Sequence, residues 1–80
     1  MSGEARRFLL ACQLAVDLAK KHNCVQRVYR AGETTIFYPH PEYRTDWLFK
    51  AWPGGRKELS LRGTELLKNN NVSAKELETK

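Results

Sequence analysis

Eighty residues with 14 Lys and Arg against 9 Asp and Glu carry a net charge of +5, and a chain of that length has room for one hydrophobic core and no second. The basic balance favours an acidic partner, whether nucleic acid, anionic membrane or an acidic protein surface. The charge is dispersed, +2 over residues 1–24, +2 over 25–58 and +1 over 59–80, so a basic patch has to be assembled by the fold.

Ala5 to Lys21 reads as one long helix. At about 100° per residue, Arg6, Leu10, Gln13, Asp17, Lys20 and Lys21 share a narrow stripe. The centre of the apolar arc holds Phe8, Ala11, Cys12, Ala15 and Ala19, mostly small side chains that let a sheet or second helix approach closely, flanked by Leu9, Leu14, Val16 and Leu18. The arc spans roughly 220°, against the ~100° of a helix covering one core face, so more than one neighbour is expected over it. Ser2 as N-cap, Glu4 at the positive end of the dipole, Lys20 and Lys21 at the negative end and Asn23 as a left-handed terminator complete the element.

Arg6, Arg7 and Phe8 resemble the start of a twin-arginine or lipoprotein signal. The apolar run of four residues before Cys12 is short of the ~7–15 of a signal core, however, and Asp17 interrupts the apolar residues after Cys12. Two cysteines, Cys12 and Cys24, are too few for a disulfide framework, and Cys12 reads as a buried thiol in a reducing, cytoplasmic setting. No stretch approaches the ~20 apolar residues of a membrane span.

Val25 to Arg30 reads as a strand, Ala31 to Thr34 as a tight turn and Thr35 to Tyr38 as the returning strand. A two-residue turn centred on Gly32 and Glu33 sets Tyr29 against Ile36, whereas a three-residue loop sets Val28 against Ile36. Pro39 and Pro41, which have no N–H to give a ladder, are expected to stop the sheet and begin a rigid connector. Asp46 to Trp52 then reads as a central strand with Trp47, Phe49 and Ala51 on one side and Leu48, Lys50 and Trp52 on the other. Pro53, Gly54 and Gly55 turn it.

The alternation in Lys57 to Leu61 favours a fourth strand over a helix starting near Ser60. Thr64 is expected to cap a short helix over Glu65 to Asn69, which the three asparagines end. Ser73 with Glu76 forms a capping box, and Val72 with Leu77 a hydrophobic staple. Residues 1–72 therefore make a single α+β domain, in which a long N-terminal helix packs on an antiparallel sheet of three or four strands followed by a short C-terminal helix, with 73–80 a fraying tail.

The order helix, three strands, helix resembles that of the double-stranded RNA-binding domain. The likeness is one of order alone. Where that family carries a Gly-Pro-x-His turn and a lysine-rich entry to its last helix, this chain has Ala31-Gly32-Glu33, Pro53-Gly54-Gly55 and Arg56-Lys57-Glu58.

No glycine-rich phosphate loop is present, and His22, Cys24 and His40 do not have zinc-site spacing. Glu42 and Asp46 are read as turn formers. No catalytic group, metal or cofactor is expected. The feature that stands out is the interleaving of aromatic and basic residues: Arg27, Tyr29 and Arg30 on the first strand, Tyr38 on the second, Tyr43 and Arg44 on the connector, and Lys50, Trp52, Arg56 and Lys57 around the second hairpin. Exposed arginine beside an aromatic ring neutralises phosphates and stacks bases, or anchors a protein interface.

The expected function is that of a small non-enzymatic binding protein acting on nucleic acid or a nucleoprotein through this basic and aromatic face, with Tyr29 or Trp52 stacking. The alternative is an interaction module, an inhibitor or accessory subunit occupying the surface of a larger protein, or a homodimer through the first helix. A membrane partner is not expected, because the helix's polar stripe is narrow and mixed in sign.

Overall fold

Helix α1 (Gly3–His22) buries Ala5, Phe8, Ala11, Cys12, Ala15, Val16 and Ala19. This strip of mostly small side chains seats it across three strands of one antiparallel sheet. The structure, a computed structural model, describes residues 3–72. Strands β1 (Gln26–Arg30), β2 (Phe37–His40), β3 (Phe49–Ala51) and β4 (Lys57–Leu59) lie in the order β2-β1-β3-β4, and α2 (Leu61–Asn69) follows. The class is α+β, as the residue pattern implies. Among the described residues no helix is long and apolar enough to cross a membrane.

The buried side of α1 is narrower than its apolar arc. Leu14, on the flank of that arc, is 48 % exposed, because the sheet covers one side only and α2 packs chiefly on β4. Asn23 does end the helix in left-handed backbone (φ 52°), and the Cys24 N–H returns to the Ala19 carbonyl at 3.2 Å.

The first hairpin has neither expected register. Ala31 N–H donates to the Ile36 carbonyl at 2.9 Å, and Arg30 pairs with Phe37, Tyr29 with Tyr38 and Val28 with Pro39. The loop is longer because Gly32 (φ 61°) lets Thr34 N–H turn back to the Ala31 carbonyl, and Thr34 Oγ1 then accepts from Ile36 N–H. Pro39 does not stop the sheet. Val28 directs its carbonyl to Leu48 N–H on the β3 side, at 2.8 Å, so toward β2 it occupies a non-hydrogen-bonded position. The proline opposite it lies on an edge strand, where a missing N–H costs no ladder bond.

Strand β3 starts later than its apolar run. A turn at Arg44–Trp47 precedes it, Leu48 and Phe49 are buried consecutively, and the expected alternation begins only at Phe49. The turn through Pro53-Gly54-Gly55 forms as expected, with Trp52 N–H on the Arg56 carbonyl at 2.9 Å and Gly55 at φ 99°. After β4, Ser60 rather than Thr64 caps α2, accepting from Gly63 N–H at 3.0 Å while its own hydroxyl donates to the Leu48 carbonyl at 3.1 Å. Thr64 lies inside the helix and donates its hydroxyl to the Ser60 carbonyl. Gly63 is required here: a Cβ at that position would stand 2.2 Å from the Leu48 carbonyl oxygen.

Helix α2 ends in a Schellman arrangement. Asn71 is left-handed (φ 57°), Val72 N–H reaches the Leu67 carbonyl and Asn71 N–H the Lys68 carbonyl, while Leu67 and Val72 join the core. The Ser2 cap and the Ser73 to Leu77 signals lie outside the described residues.

Candidate functional site

Antiparallel partners share a face, so the registers sort the sheet side chains into two layers. Gln26, Val28, Arg30, Phe37, Phe49, Ala51, Lys57 and Leu59 face α1. The opposite, outer face carries Arg27, Tyr29, Tyr38, His40, Lys50 and Glu58. Around these the turns and the connector between β2 and β3 supply Tyr43, Arg44, Trp47, Trp52 and Arg56.

Cations and rings are paired throughout this outer layer. Lys50 Nζ lies 4.5 Å from the Trp47 ring centre and 5.3 Å from that of Trp52, and the Arg56 guanidinium sits 4.7 Å over Trp52 as well. Arg27 stands 5.1 Å from the Tyr43 ring and Arg44 4.5 Å from that of Tyr29. Such pairs hold charge over an aromatic face. The acids nearby are few: Glu58 is the cross-strand partner of Lys50, and Asp46 is 3.6 Å from Arg44 Nε.

Of the ten residues expected in the site, Arg27, Tyr38, Tyr43, Arg44, Lys50, Trp52 and Arg56 meet on this face. Two are placed elsewhere. Arg30 shares the Val28 face, where it bonds the Glu4 carboxylate of α1 and lies 5.3 Å from the Phe37 ring. Lys57 is the partner of Ala51 and shares its face. Tyr29 has the expected face but is 1 % exposed. Its hydroxyl donates to the Glu42 carbonyl and accepts from Arg44 N–H at 2.9 Å, so it pins the connector and offers no stacking surface.

Trp47 is the residue that the alternating pattern misplaces. Alternation puts it beside Phe49, but the turn through Thr45 and Asp46 carries it to Lys50. Asp46 is the signal for this, since an aspartate favours a turn over the start of a strand.

The Arg44 guanidinium is subject to desolvation, which lowers its pKa, but the hydrogen bond to the Tyr38 hydroxyl and the Coulombic influence of Tyr38, Asp46 and Tyr29 raise it further than that. Arg27 donates through one terminal nitrogen to the Pro41 carbonyl at 2.9 Å, while its Nε is buried without a partner. Elsewhere, a cleft of about 580 Å³ lies between the start of α1, the first hairpin loop and α2, and is lined by Glu4, Glu33, Asp46 and Glu65 with Arg30 and Arg62. Of its acids Glu4 is paired with Arg30, and Asp46 lies 3.6 Å from Arg44 of the outer face.

No protein-family model matches the chain, and no curated protein or solved structure matches it either.

Proposed function

We propose that the protein is a non-enzymatic binding protein that contacts nucleic acid through the outer face of its sheet. The observation that carries this reading is the cation and ring layer in which Lys50 lies between Trp47 and Trp52, with Arg56 over Trp52 and Arg27 against Tyr43. Cations supply the phosphate contacts that dominate nucleic-acid affinity, and rings supply surfaces on which bases stack. The free thiols of Cys12 and Cys24 support a reducing, cytoplasmic setting.

The test is an anisotropy titration of labelled DNA and RNA at low and high salt. Three phosphates neutralised by Arg27, Lys50 and Arg56 give a slope of log affinity against log salt of about −2 to −3. Binding that is equal at both salt concentrations sinks the proposal.

Leu10 and Leu14, one turn apart on the exposed side of α1, favour a second reading. In that reading the protein is an inhibitor or accessory subunit that occupies a larger protein through α1. A chain that binds no nucleic acid at low salt but forms a stoichiometric complex broken by Leu14→Lys would establish it.

A further inference from the structure

We propose that the ligand of the outer face is a single-stranded nucleic acid and not a duplex, with one backbone phosphate seated between Arg27 and Lys50. This rests on the nucleic-acid reading above and narrows it.

Arg27 and Lys50 are direct cross-strand partners on the two central strands. Like charges so placed repel, and the separation of adjacent strands, ~4.8 Å, is one that a phosphate bridges. Lys50 has Glu58 on its other side. Arg27 has His40 on its other side, and His40 Nδ1 accepts from Glu42 N–H at 3.0 Å, a pattern that assigns the proton to Nε2. His40, Arg27 and Lys50 thus present donors side by side, and Glu58 ends the row with a carboxylate. An oxyanion seated between Arg27 and Lys50 supplies both an acceptor and the counter-charge.

The rings decide which nucleic acid fits. Tyr43, 58 % exposed, flanks Arg27 on one side of the row, and Trp47 and Trp52 flank Lys50 on the other. A single strand crossing the row can lay unpaired bases against both sides while its phosphate sits on the cations. A duplex keeps its bases stacked on each other and is read by a helix or ribbon entering a groove. Here α1 and the Leu67 side of α2 are committed to the core on the opposite face, and the described strands all lie in one four-stranded sheet, so among the described residues neither a helix nor a free two-stranded ribbon projects from the outer one.

The chain's two tryptophans both border Lys50, so intrinsic fluorescence reports on this site directly. The full chain is titrated at low salt with an unlabelled single-stranded oligonucleotide of about 10 nucleotides, within the usual site sizes, and with the same sequence as a blunt duplex. The single strand is expected to quench the tryptophans and to bind at least about tenfold tighter than the duplex, through stacking that a duplex cannot offer. Trp52→Ala is expected to weaken it roughly 5- to 100-fold. Lys50→Gln is expected to weaken it several-fold and to reduce the salt slope by about 0.7, with an unchanged melting temperature showing that the fold persists. Equal or tighter binding of the duplex, or an unchanged single-strand affinity and slope in Lys50→Gln, overturns the inference and leaves the broader nucleic-acid reading standing. Binding of neither form at low salt removes both.

Discussion

On the α1 side of the sheet, Phe8 meets Phe37 edge to face at 5.4 Å over Val28, Phe49 and Ala51, the last three essentially buried. On the outer side the rings meet cations instead, and the connector from Pro41 to Trp47 lies over them in place of a helix. Full burial of a Phe contributes about 1.5–3 kcal/mol, whereas an exposed cation over a ring contributes about 0.5–1. Stability is therefore concentrated on the α1 face. The outer face is left free to keep charge that a core would not tolerate. Substitutions on the two faces should separate folding from binding.

The largest effect is expected from Phe8→Ala, which empties a fully buried site facing Phe37. A loss of about 3–5 kcal/mol is a large part of the roughly 4–12 kcal/mol available to a domain of this size. Urea unfolding should show the midpoint collapse, and binding should fall with it. The dryness of this face also sets a pH limit. Burial pushes the Cys12 thiol well above its ordinary value of 9.0, so above that pH the unfolded chain releases the proton before the folded one. The contribution is fully present below pH 9.0 and is lost as pH rises from there through the folded value. Unfolding midpoints measured from neutral to alkaline pH should decline, and Cys12→Ala should flatten the decline.

Gly63→Ala tests how tightly α2 is locked to β3. The added carbon meets the Leu48 carbonyl oxygen, a backbone atom that already accepts from Ser60, so helix and strand must separate. A cost of about 1–3 kcal/mol is expected from this overpacking, read as a lower unfolding midpoint. A cost below that range would mean that α2 is seated more loosely than this contact implies.

On the outer face the strongest stability effect should come from Tyr29→Phe. It keeps the ring under Arg44 but removes the hydroxyl that bonds Glu42 and Arg44. The loss is about 1–2 kcal/mol for a buried hydroxyl serving two backbone groups, and amide exchange at Arg44 should accelerate. If stability and exchange are both unchanged, the connector is held by other contacts.

The features legible in the residues are those fixed by local chemistry. The strip from Phe8 to Ala19 announces a close-packed helix, Asn23 and Asn71 mark left-handed terminators, and Pro-Gly-Gly a hairpin turn. The first hairpin's register is hidden because Thr34 extends the loop through its own side chain, a choice that composition does not reveal. That register differs from the two-residue-turn pairing by two positions. The strand period is also two, so Phe37 still faces the helix and Tyr38 the outer layer. This is why most of the site is legible despite a different pairing. Arg30 leaves the site for a tertiary reason: Glu4, 26 positions earlier, offers a carboxylate on the helix side. Nothing near Arg30 in sequence marks that partner. Gly63 looks like a poor helix residue and proves to be a point of close approach.

The smallest stability effect, and the sharpest separation of the two faces, is expected from Lys50→Gln. Removing the ammonium gives up attraction to two rings and to Glu58 but also ends the repulsion across the strand pair with Arg27. Opposing terms of similar size leave a net change within about 0.5 kcal/mol, as is usual for partly exposed positions. The repulsive part is screened by salt, so any stabilisation of the variant should be greatest at low ionic strength. The comparison is made by measuring the melting temperatures of both proteins at two salt concentrations. A variant that melts with the parent yet has lost several-fold in single-strand affinity would show Lys50 to be held on the sheet for its ligand. A variant destabilised by more than about 1 kcal/mol would show the cation and ring layer to be structural, because surface substitutions away from structural features stay within about ±0.5 kcal/mol.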